Sequence, residues 1–371
     1  MEQAIFKSIT VIELASVLAG PAVGQFLAEL GAKVIKVENP ATDGDVTRSW
    51  KTSNEPATDS VSAYFSSVNA GKQSIALDLN TKKGKDELYR LLQQADVVIS
   101  SYKPGDAEKL GLSYQEVKKM NPAIIYAELT GYGPDDPKVG YDAVLQAETG
   151  FMFLNGEKDG ASIKMPVALI DILAAHQLKE AILLAYIHRL KSDEGSKVSV
   201  SLFDAAVSSL ANQATNYLIG KKSPAKMGAE HPNIVPYGRL FQCADAQQII
   251  LAVGTDKQFK HLCKILGMAD LAAQTAYKTN SARVANRASL NKLLQEKISN
   301  FETDNLLNKC KSLKVPAGKL NTVEMLFEQP EAQQIVLYKD DKPVGLRNFI
   351  AKMSFISDMP HLTPPPGYSV S

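Results

Sequence analysis

SITVIELASVLAGPAVGQFLAELGAKVIKVE, residues 8–38, decides the fold class. Its opening run SITVIELA (8–15) is rich in β-branched residues, which suit a strand. From Ala19 to Ala32 the apolar residues recur at helical spacing, and Gly31 stands near the end as a stop. AKVIKVE (32–38) is a second β-branched run. A strand, a helix and a strand in such close succession imply a parallel pair joined by a crossover helix.

The same alternation continues outward. QSIALDL (73–79), DVVISS (96–101) and AIIYAEL (123–129) read as further strands. Between the first two, NTKKGKDELYRLLQQA (80–95) places Leu88, Leu91 and Leu92 on one helical face behind an Asn80 or Thr81 cap. The pattern predicts an α/β fold with a parallel sheet covered by helices. The middle of the chain supplies a helix at LAAHQLKEAILLAYIHRLKS (173–192), a strand at KVSVSLF (197–203) and a helix over 204–220 ending on Gly220. The stretch from Lys221, rich in Lys, Pro and Gly, reads as a linker. QQIILAVG (247–254), DKQFKHLCKILGM (256–268) and NLLNKCKSL (305–313) form a second strand-and-helix group. The predicted organisation is a large domain over 1–220 and 335–371, a linker at 221–236 and a small α/β domain at 237–334.

Composition narrows the function. The 371 residues are 45% hydrophobic and 22% charged, an ordinary globular balance. The 41 basic and 40 acidic residues leave a formal charge of +1 with no long like-charge run, which disfavours nucleic acid and membrane surfaces as partners. Three scattered cysteines, Cys243, Cys263 and Cys310, fit neither a zinc site nor a disulfide framework, and no metal is expected. The start lacks a signal peptide's apolar core, and the apolar stretch near 180–186 is too short to span a bilayer. A cytoplasmic protein is expected.

A ligand belongs at the carboxyl ends of the parallel strands. There the loop ASVLAGPAVGQ (15–25) opens a helix, whose free amides attract phosphate. Its Gly20 and Gly24 do not make the G-x-G-x-x-G of dinucleotide enzymes, although Glu38 stands where such a fold puts its ribose-binding acid. The alternative is that Gly20, Pro21 and Gly24 only let helix and strand pack closely. Asp171, in PVALIDILAAH (166–176), is a carboxylate among apolar neighbours. It either caps the helix beginning near Leu173 or has a chemical task.

These segments, taken together, resemble the class III CoA-transferases, a family that also includes the α-methylacyl-CoA racemases. The resemblance lies in VIELASVLAGPAVGQFLAELGAKVIKVENP with GDVTR (11–48), in NAGKQSIALDLNTKKGK (69–85) and in ADVVISSYKPGDAEKLGLSYQEVKKMNPAIIYAELTGYG (95–133). It continues in GYDAVLQAETGFM (140–152), PVALIDILAAHQLKEAILLAYIHR (166–189) and HPNIVPYGRLF (231–241), and it is loose beyond. It implies a Rossmann-like large domain and an interlinked homodimer. It implies coenzyme A and acyl-CoA as substrates, with no tightly bound cofactor.

The resemblance also assigns roles. Asp171 is implied as the nucleophile that attacks the thioester and later carries CoA as an aspartyl thioester. Tyr141 and Gln146 match positions beside the reacting acyl group. Val17 and Leu18 match a loop passing the CoA chain, and Leu77, Lys109 and Leu110 match positions lining pantetheine and adenine. Lys109 suits a CoA phosphate or a solvated surface equally. Asn39, Ser101 and Val139 depart from the basic residue, asparagine and lysine usual in relatives, which makes Lys103 a candidate cation for CoA. Arg48 keeps a family motif. Trp50 and the aromatics of SAYFSSVN (62–69) suit core packing better than an acyl pocket, and His231 is read as structural. The racemase alternative needs a histidine where the sequence has Gly140-Tyr141-Asp142, and a tyrosine is a poor base at neutral pH. A CoA-binding protein without catalysis is the other alternative.

Overall fold

The computed structural model describes residues 5–356 and 360–368. The chain forms two compact units. The first is built from residues up to Phe151, from Lys164–Lys221 and from Glu331 onward; the second from Met152–Ile163 and Lys222–Pro330. Residues 152–163, which the sequence reading left with the large domain, therefore cluster with the second unit. Gly228 donates its N–H to the Gly156 carbonyl there, at 3.2 Å.

The first unit holds six strands, β1 (Thr10–Leu14), β2 (Lys33–Glu38), β3 (Lys72–Ala76), β4 (Val97–Ser100), β5 (Ile125–Thr130) and β6 (Ser196–Ser201). They pair in the order β3-β2-β1-β4-β5-β6, all parallel. That order is the one used by doubly wound nucleotide-binding sheets, with the switch point between β1 and β4. Alternation along each strand feeds two cores. Val11, Val97, Ile99, Ile125 and Ala127 face one side, while Ile12, Val98 and Tyr126 face the other. The first side is covered by α1 (Ala19–Glu29) and the second by α2 (Lys82–Gln93), which inserts Leu88 and Leu92. Every residue of α1 is buried, so it has no solvent face. Added Cβ atoms would strike Ala15 at Gly20 and the Glu13 carboxylate at Gly24, so both glycines serve close packing. Thr81, not Asn80, caps α2 by accepting the N–H of Gly84.

After β5 come α3 (Asp142–Glu148) and α4 (Leu169–Ser192). Helix α4 starts four residues earlier than the sequence predicts, so Asp171 lies inside its first turn and does not cap it. The predicted helix 204–220 is two helices, α5 (Leu202–Ser209) and α6 (Asn212–Gly220), parted where Ala211 takes a positive φ of 46°. Lys221, with φ 55°, takes the left-handed C-cap position that Gly220 was expected to mark. A hairpin of Val336–Lys339 and Lys342–Leu346 follows in sequence and belongs to the first unit, as does the tail, whose Thr363 O accepts the N–H of Gly71 and whose Pro366 O accepts from Arg48.

The second unit has an antiparallel three-stranded sheet, Tyr237–Gln242, Gln248–Ala252 and Ala317–Lys319, packed by helices Asp256–Ile265, Arg287–Ile298 and Thr303–Ser312. His231 stacks edge-on against Tyr237 at 5.1 Å and accepts the N–H of Asn233, a structural role. No helix among the described residues is long and apolar enough to cross a membrane.

Candidate active site

The loop from β1 into α1 is held from both ends. Val17 adopts φ 70°, a conformation β-branched residues avoid. Its N–H donates to Asp45 at 3.2 Å, and Lys36 Nζ donates to the Ala15 carbonyl at 2.8 Å. Lys36 pairs with Asp45 at 2.8 Å and with Glu13 at 3.1 Å, and Lys72 pairs with Glu13 at 2.7 Å. Lys72 also donates to Pro21 O and Asn69 Oδ1. These four charged side chains are all buried. Burial depresses both lysines. Lys36, with two carboxylate partners, still ends above its ordinary pKa, whereas Lys72, sharing Glu13 with Lys36, ends at about 8.

Glu38, at the end of β2, is engaged in the same way. Arg48 grips it with a two-pronged fork at 2.8 and 2.7 Å, and the Ser74 hydroxyl and the Asp45 N–H also donate to it. Arg48 lies on the Phe65 ring at 3.7 Å. Burial pushes the Glu38 pKa up, but Arg48 and Ser74 more than offset it, and the carboxylate stays below its ordinary range. Its oxygens are spent, so it does not offer the free acid that a nicotinamide nucleotide's ribose requires. Phe65 is core, as the sequence suggested, while Trp50 is half-exposed and rests edge-on against Tyr64.

Two adjoining cavities open at the carboxyl ends of β1, β2, β4 and β5. The larger, about 530 Å³, is lined by Asn39, Leu77, Ser101 and Leu110 together with Lys36, Glu38 and Asp45. The smaller, about 260 Å³, is lined by Val17, Leu18, Ser101, Lys103, Val139, Tyr141, Asp142 and Asp171. Ser16, Ser101 and Tyr102 line both, which puts the junction at the switch point between β1 and β4. Asn39 accepts the N–H of Ala41 and caps a short 3₁₀ turn at the rim. Tyr141 is 62% exposed at the lip. Two sequence-predicted residues line neither cavity. Lys109 is exposed and pairs with Asp106 at 2.9 Å. Gln146 is buried behind the smaller cavity, where it donates to Asp142 at 2.7 Å and accepts the N–H of Met165 at 2.8 Å.

Asp171 differs from every carboxylate above. It is 9% exposed, and among the described residues no hydrogen bond or ion pair reaches its carboxylate. Burial, and then the charge of Asp142, push its pKa from 3.8 to about 7. Its place in the first turn of α4 works against that rise, but a helix dipole is worth only about 0.3–1 kcal/mol, so desolvation wins.

Asp142 itself was missed by the sequence reading. Its Oδ1 accepts the N–H of Ile170 at 2.8 Å. The available signal was its position next to Tyr141 and one helical turn before Gln146, both of which had been singled out. Among the described residues no histidine lines either cavity.

A family model described as CoA-transferase family III matches residues 6–367. The chain belongs to CoA-transferase family III. The chain is 42% identical to the succinate–glutarate CoA-transferase of Agrobacterium fabrum, over 88% of this chain and 82% of that protein. It is 35% identical to human succinyl-CoA:glutarate CoA-transferase, over 88% of this chain and 74% of that protein. Among solved structures, a CAIB/BAIF family protein from Brucella suis is 40% identical, with a TM-score of 0.84 over 99% of this chain and 96% of that one. As a member of this family the chain is an enzyme, an acyl-CoA:carboxylate CoA-transferase. Acyl-CoA and carboxylic acid substrates fit that membership.

Proposed function

We propose that this family III enzyme moves CoA between small dicarboxylic acids through covalent intermediates on Asp171. The observation that carries the reading is a buried carboxylate with no hydrogen-bond partner among the described residues, in a small cavity adjoining one large enough for a nucleotide end. A desolvated carboxylate is a stronger nucleophile than a hydrated one, and its raised pKa adds basicity while leaving a large ionised fraction at neutral pH.

Asp171 attacks the thioester carbonyl of the donor, and CoA thiolate leaves, giving a mixed anhydride. The thiolate then attacks the aspartyl carbonyl of that anhydride. The donor acid departs as its carboxylate, and CoA is held as an aspartyl thioester. The acceptor carboxylate attacks this thioester and expels the thiolate, forming a second anhydride. Attack of the thiolate on the acceptor's carbonyl releases the new acyl-CoA and restores Asp171. Each step exchanges one activated acyl bond for another, so no ATP is needed.

The remaining assignments are proposed on which cavity each residue lines. Val17 and Leu18 flank the pantetheine end, Asn39, Leu77, Ser101 and Leu110 the nucleotide end, and Tyr141 closes the acyl cavity at its lip. Lys103, on the smaller cavity, is the cation for a CoA phosphate or the acceptor's second carboxylate. Dicarboxylates are favoured because the curated relatives cited above are named for succinate and glutarate. An interlinked homodimer is part of the proposal. Leu184, Leu190 and Ile219 are 68%, 66% and 82% exposed, an apolar surface on α4 and α6 suited to a second copy. The three buried free thiols suit a reducing cytoplasm.

Incubation with succinyl-CoA followed by hydroxylamine should leave a hydroxamate on the Asp171 peptide, read by mass spectrometry. Asp171→Ala should lose the adduct and turnover while still binding CoA. An unmodified peptide during productive turnover overturns the mechanism.

A further inference from the structure

A helix leaves its first four N–H groups without intrahelical partners, and an acidic side chain in the first turn ordinarily folds back to accept one. Asp171 occupies such a position, third in α4, behind an N-cap, Ala168, that offers no side-chain acceptor. Yet the donors of this turn go elsewhere. Leu169 N–H donates to Val167 O at 2.8 Å, Ile172 N–H to Ala168 O at 3.2 Å, and Ile170 N–H to Asp142 Oδ1 at 2.8 Å. The carboxylate that caps α4 thus comes from another helix, 28 residues earlier in the chain.

Asp142 is itself fixed. It is the first residue of α3, and Gln146, one turn on, donates to its other oxygen at 2.7 Å. Gln146 also accepts the N–H of Met165 and donates weakly to Met165 O and Val167 O at 3.4 Å. The segment leading into α4 is therefore tied to α3 through one acid–amide pair.

We infer that Asp142 is a positioning residue for Asp171: it caps α4 in place of Asp171, so that the Asp171 carboxylate stays free of backbone donors and aimed into the cavity both acids line. The inference rests on Asp171 being the reacting carboxylate. A cap formed by Asp171 itself would lower its basicity and turn it away from the cavity. A neighbouring anion that takes the cap and also faces the cavity has the opposite effect on both counts. The other titratable groups lining the cavity are Tyr102, Lys103, Lys138 and Tyr141, and Tyr64 senses the Asp171 charge from nearby; Asp142 is the one charge that contributes to the shift of Asp171.

Asp142→Asn and Asp142→Ser test this in the full-length enzyme. The Asp171 titration is followed by NMR of ¹³C-carboxyl aspartate, assigned with Asp171→Asn, alongside the pH profile of kcat/KM. Asp142→Asn keeps an acceptor for Ile170 but removes the charge. The Asp171 midpoint and the acid limb should both move down by about one pH unit. In Asp142→Ser, which shortens the cap, kcat at pH 9 should fall at least about tenfold although Asp171 is fully ionised. If either variant fails to fold, Gln146→Leu stands in: it frees Asp142 without removing its charge, so kcat must fall while the midpoint does not. An unchanged midpoint in Asp142→Asn, or unchanged kcat in Asp142→Ser or Gln146→Leu, overturns the inference. If Asp171 is not the nucleophile, Asp171→Asn retains turnover even when the Asp142→Asn midpoint shift is observed, and the two failures are told apart.

Discussion

Two groups of buried carboxylates stand at the carboxyl ends of one sheet, and they are treated in opposite ways. Glu13, Glu38 and Asp45 each meet a buried cation, at 2.7–3.1 Å. Glu38 and Asp45 are held below their ordinary pKa despite burial. Asp171 meets none among the described residues and is raised to about 7. The loss of hydration is common to both groups; the presence of a partner decides the outcome. The paired acids fix the loop that carries Val17 and Leu18. The unpaired one is left with a reactivity that pairing would have quenched.

Replacing the unpaired acid should produce the largest effect and the sharpest contrast. Asp171→Asn is expected to lower kcat by at least about a thousandfold, as loss of a covalent nucleophile does. It should also stabilise the fold, in a pH window set by the titration. A carboxyl whose folded pKa is raised stabilises fully below its ordinary value of 3.8 and loses that contribution as pH rises through about 7. The gain of Asp171→Asn over the wild type should therefore be absent near pH 4 and complete above pH 8, with an upper bound of about 4 kcal/mol. Urea unfolding across that range measures it. A gain that is the same at all pH values would mean that Asp171 is not buried as an ionised group.

Breaking a pair should do the reverse. Arg48→Met leaves Glu38 buried with the Ser74 and Asp45 donors but no cation, and a buried charge stripped of its partner costs about 3–5 kcal/mol. The unfolding midpoint should fall steeply, and more at pH 7 than at pH 4, since Glu38 escapes the penalty by taking up a proton. The double variant Arg48→Met, Glu38→Gln should recover part of the loss. If Arg48→Met unfolds like the wild type, the network is not what fixes this part of the chain.

Lys103 tests the border between the two regions. It lines the smaller cavity and, among the described residues, forms no ion pair, exerting only a weak influence on Asp106. Lys103→Ala should raise KM for acyl-CoA or for the acceptor several-fold, about 1 kcal/mol, with kcat nearly unchanged. Which of the two KM values moves tells whether the ammonium serves the phosphate or the second carboxylate.

The contrast between the groups was only half legible in the sequence. The strands from Thr10 to Thr130 could be read because each is a short apolar run filling both faces of a parallel sheet. Asp171 was conspicuous as an acid among apolar neighbours. Glu38 was conspicuous too, as a ribose-binding acid, but its actual partner Arg48 lies ten residues on, across a turn whose course no periodicity reveals. The cap on α4 was hidden for the same reason, since Asp142 reaches it across 28 residues. The local pattern therefore predicts a helix start at Leu173, with Asp171 as a candidate cap, four residues after the start at Leu169. Local patterns encode which segments are helices and strands; the pairing of charges is set where distant segments meet.

Lys109 should show the smallest effect, and its smallness is informative. Leu110, beside it, lines the larger cavity, whereas the Lys109 side chain is 76% exposed and rests on Asp106 one helical turn back. An exposed pair at that spacing contributes about 0.3–0.5 kcal/mol and less in salt. Lys109→Ala should therefore shift stability by no more than about 0.5 kcal/mol and leave KM for acyl-CoA within about twofold. A tenfold rise in KM, growing as ionic strength falls, would mean that Lys109 leaves Asp106 for a phosphate when CoA binds. The nucleotide would then be held by a cation that the free enzyme keeps outside the cavity, and the division between fixed pairs and free groups would apply only before substrate arrives.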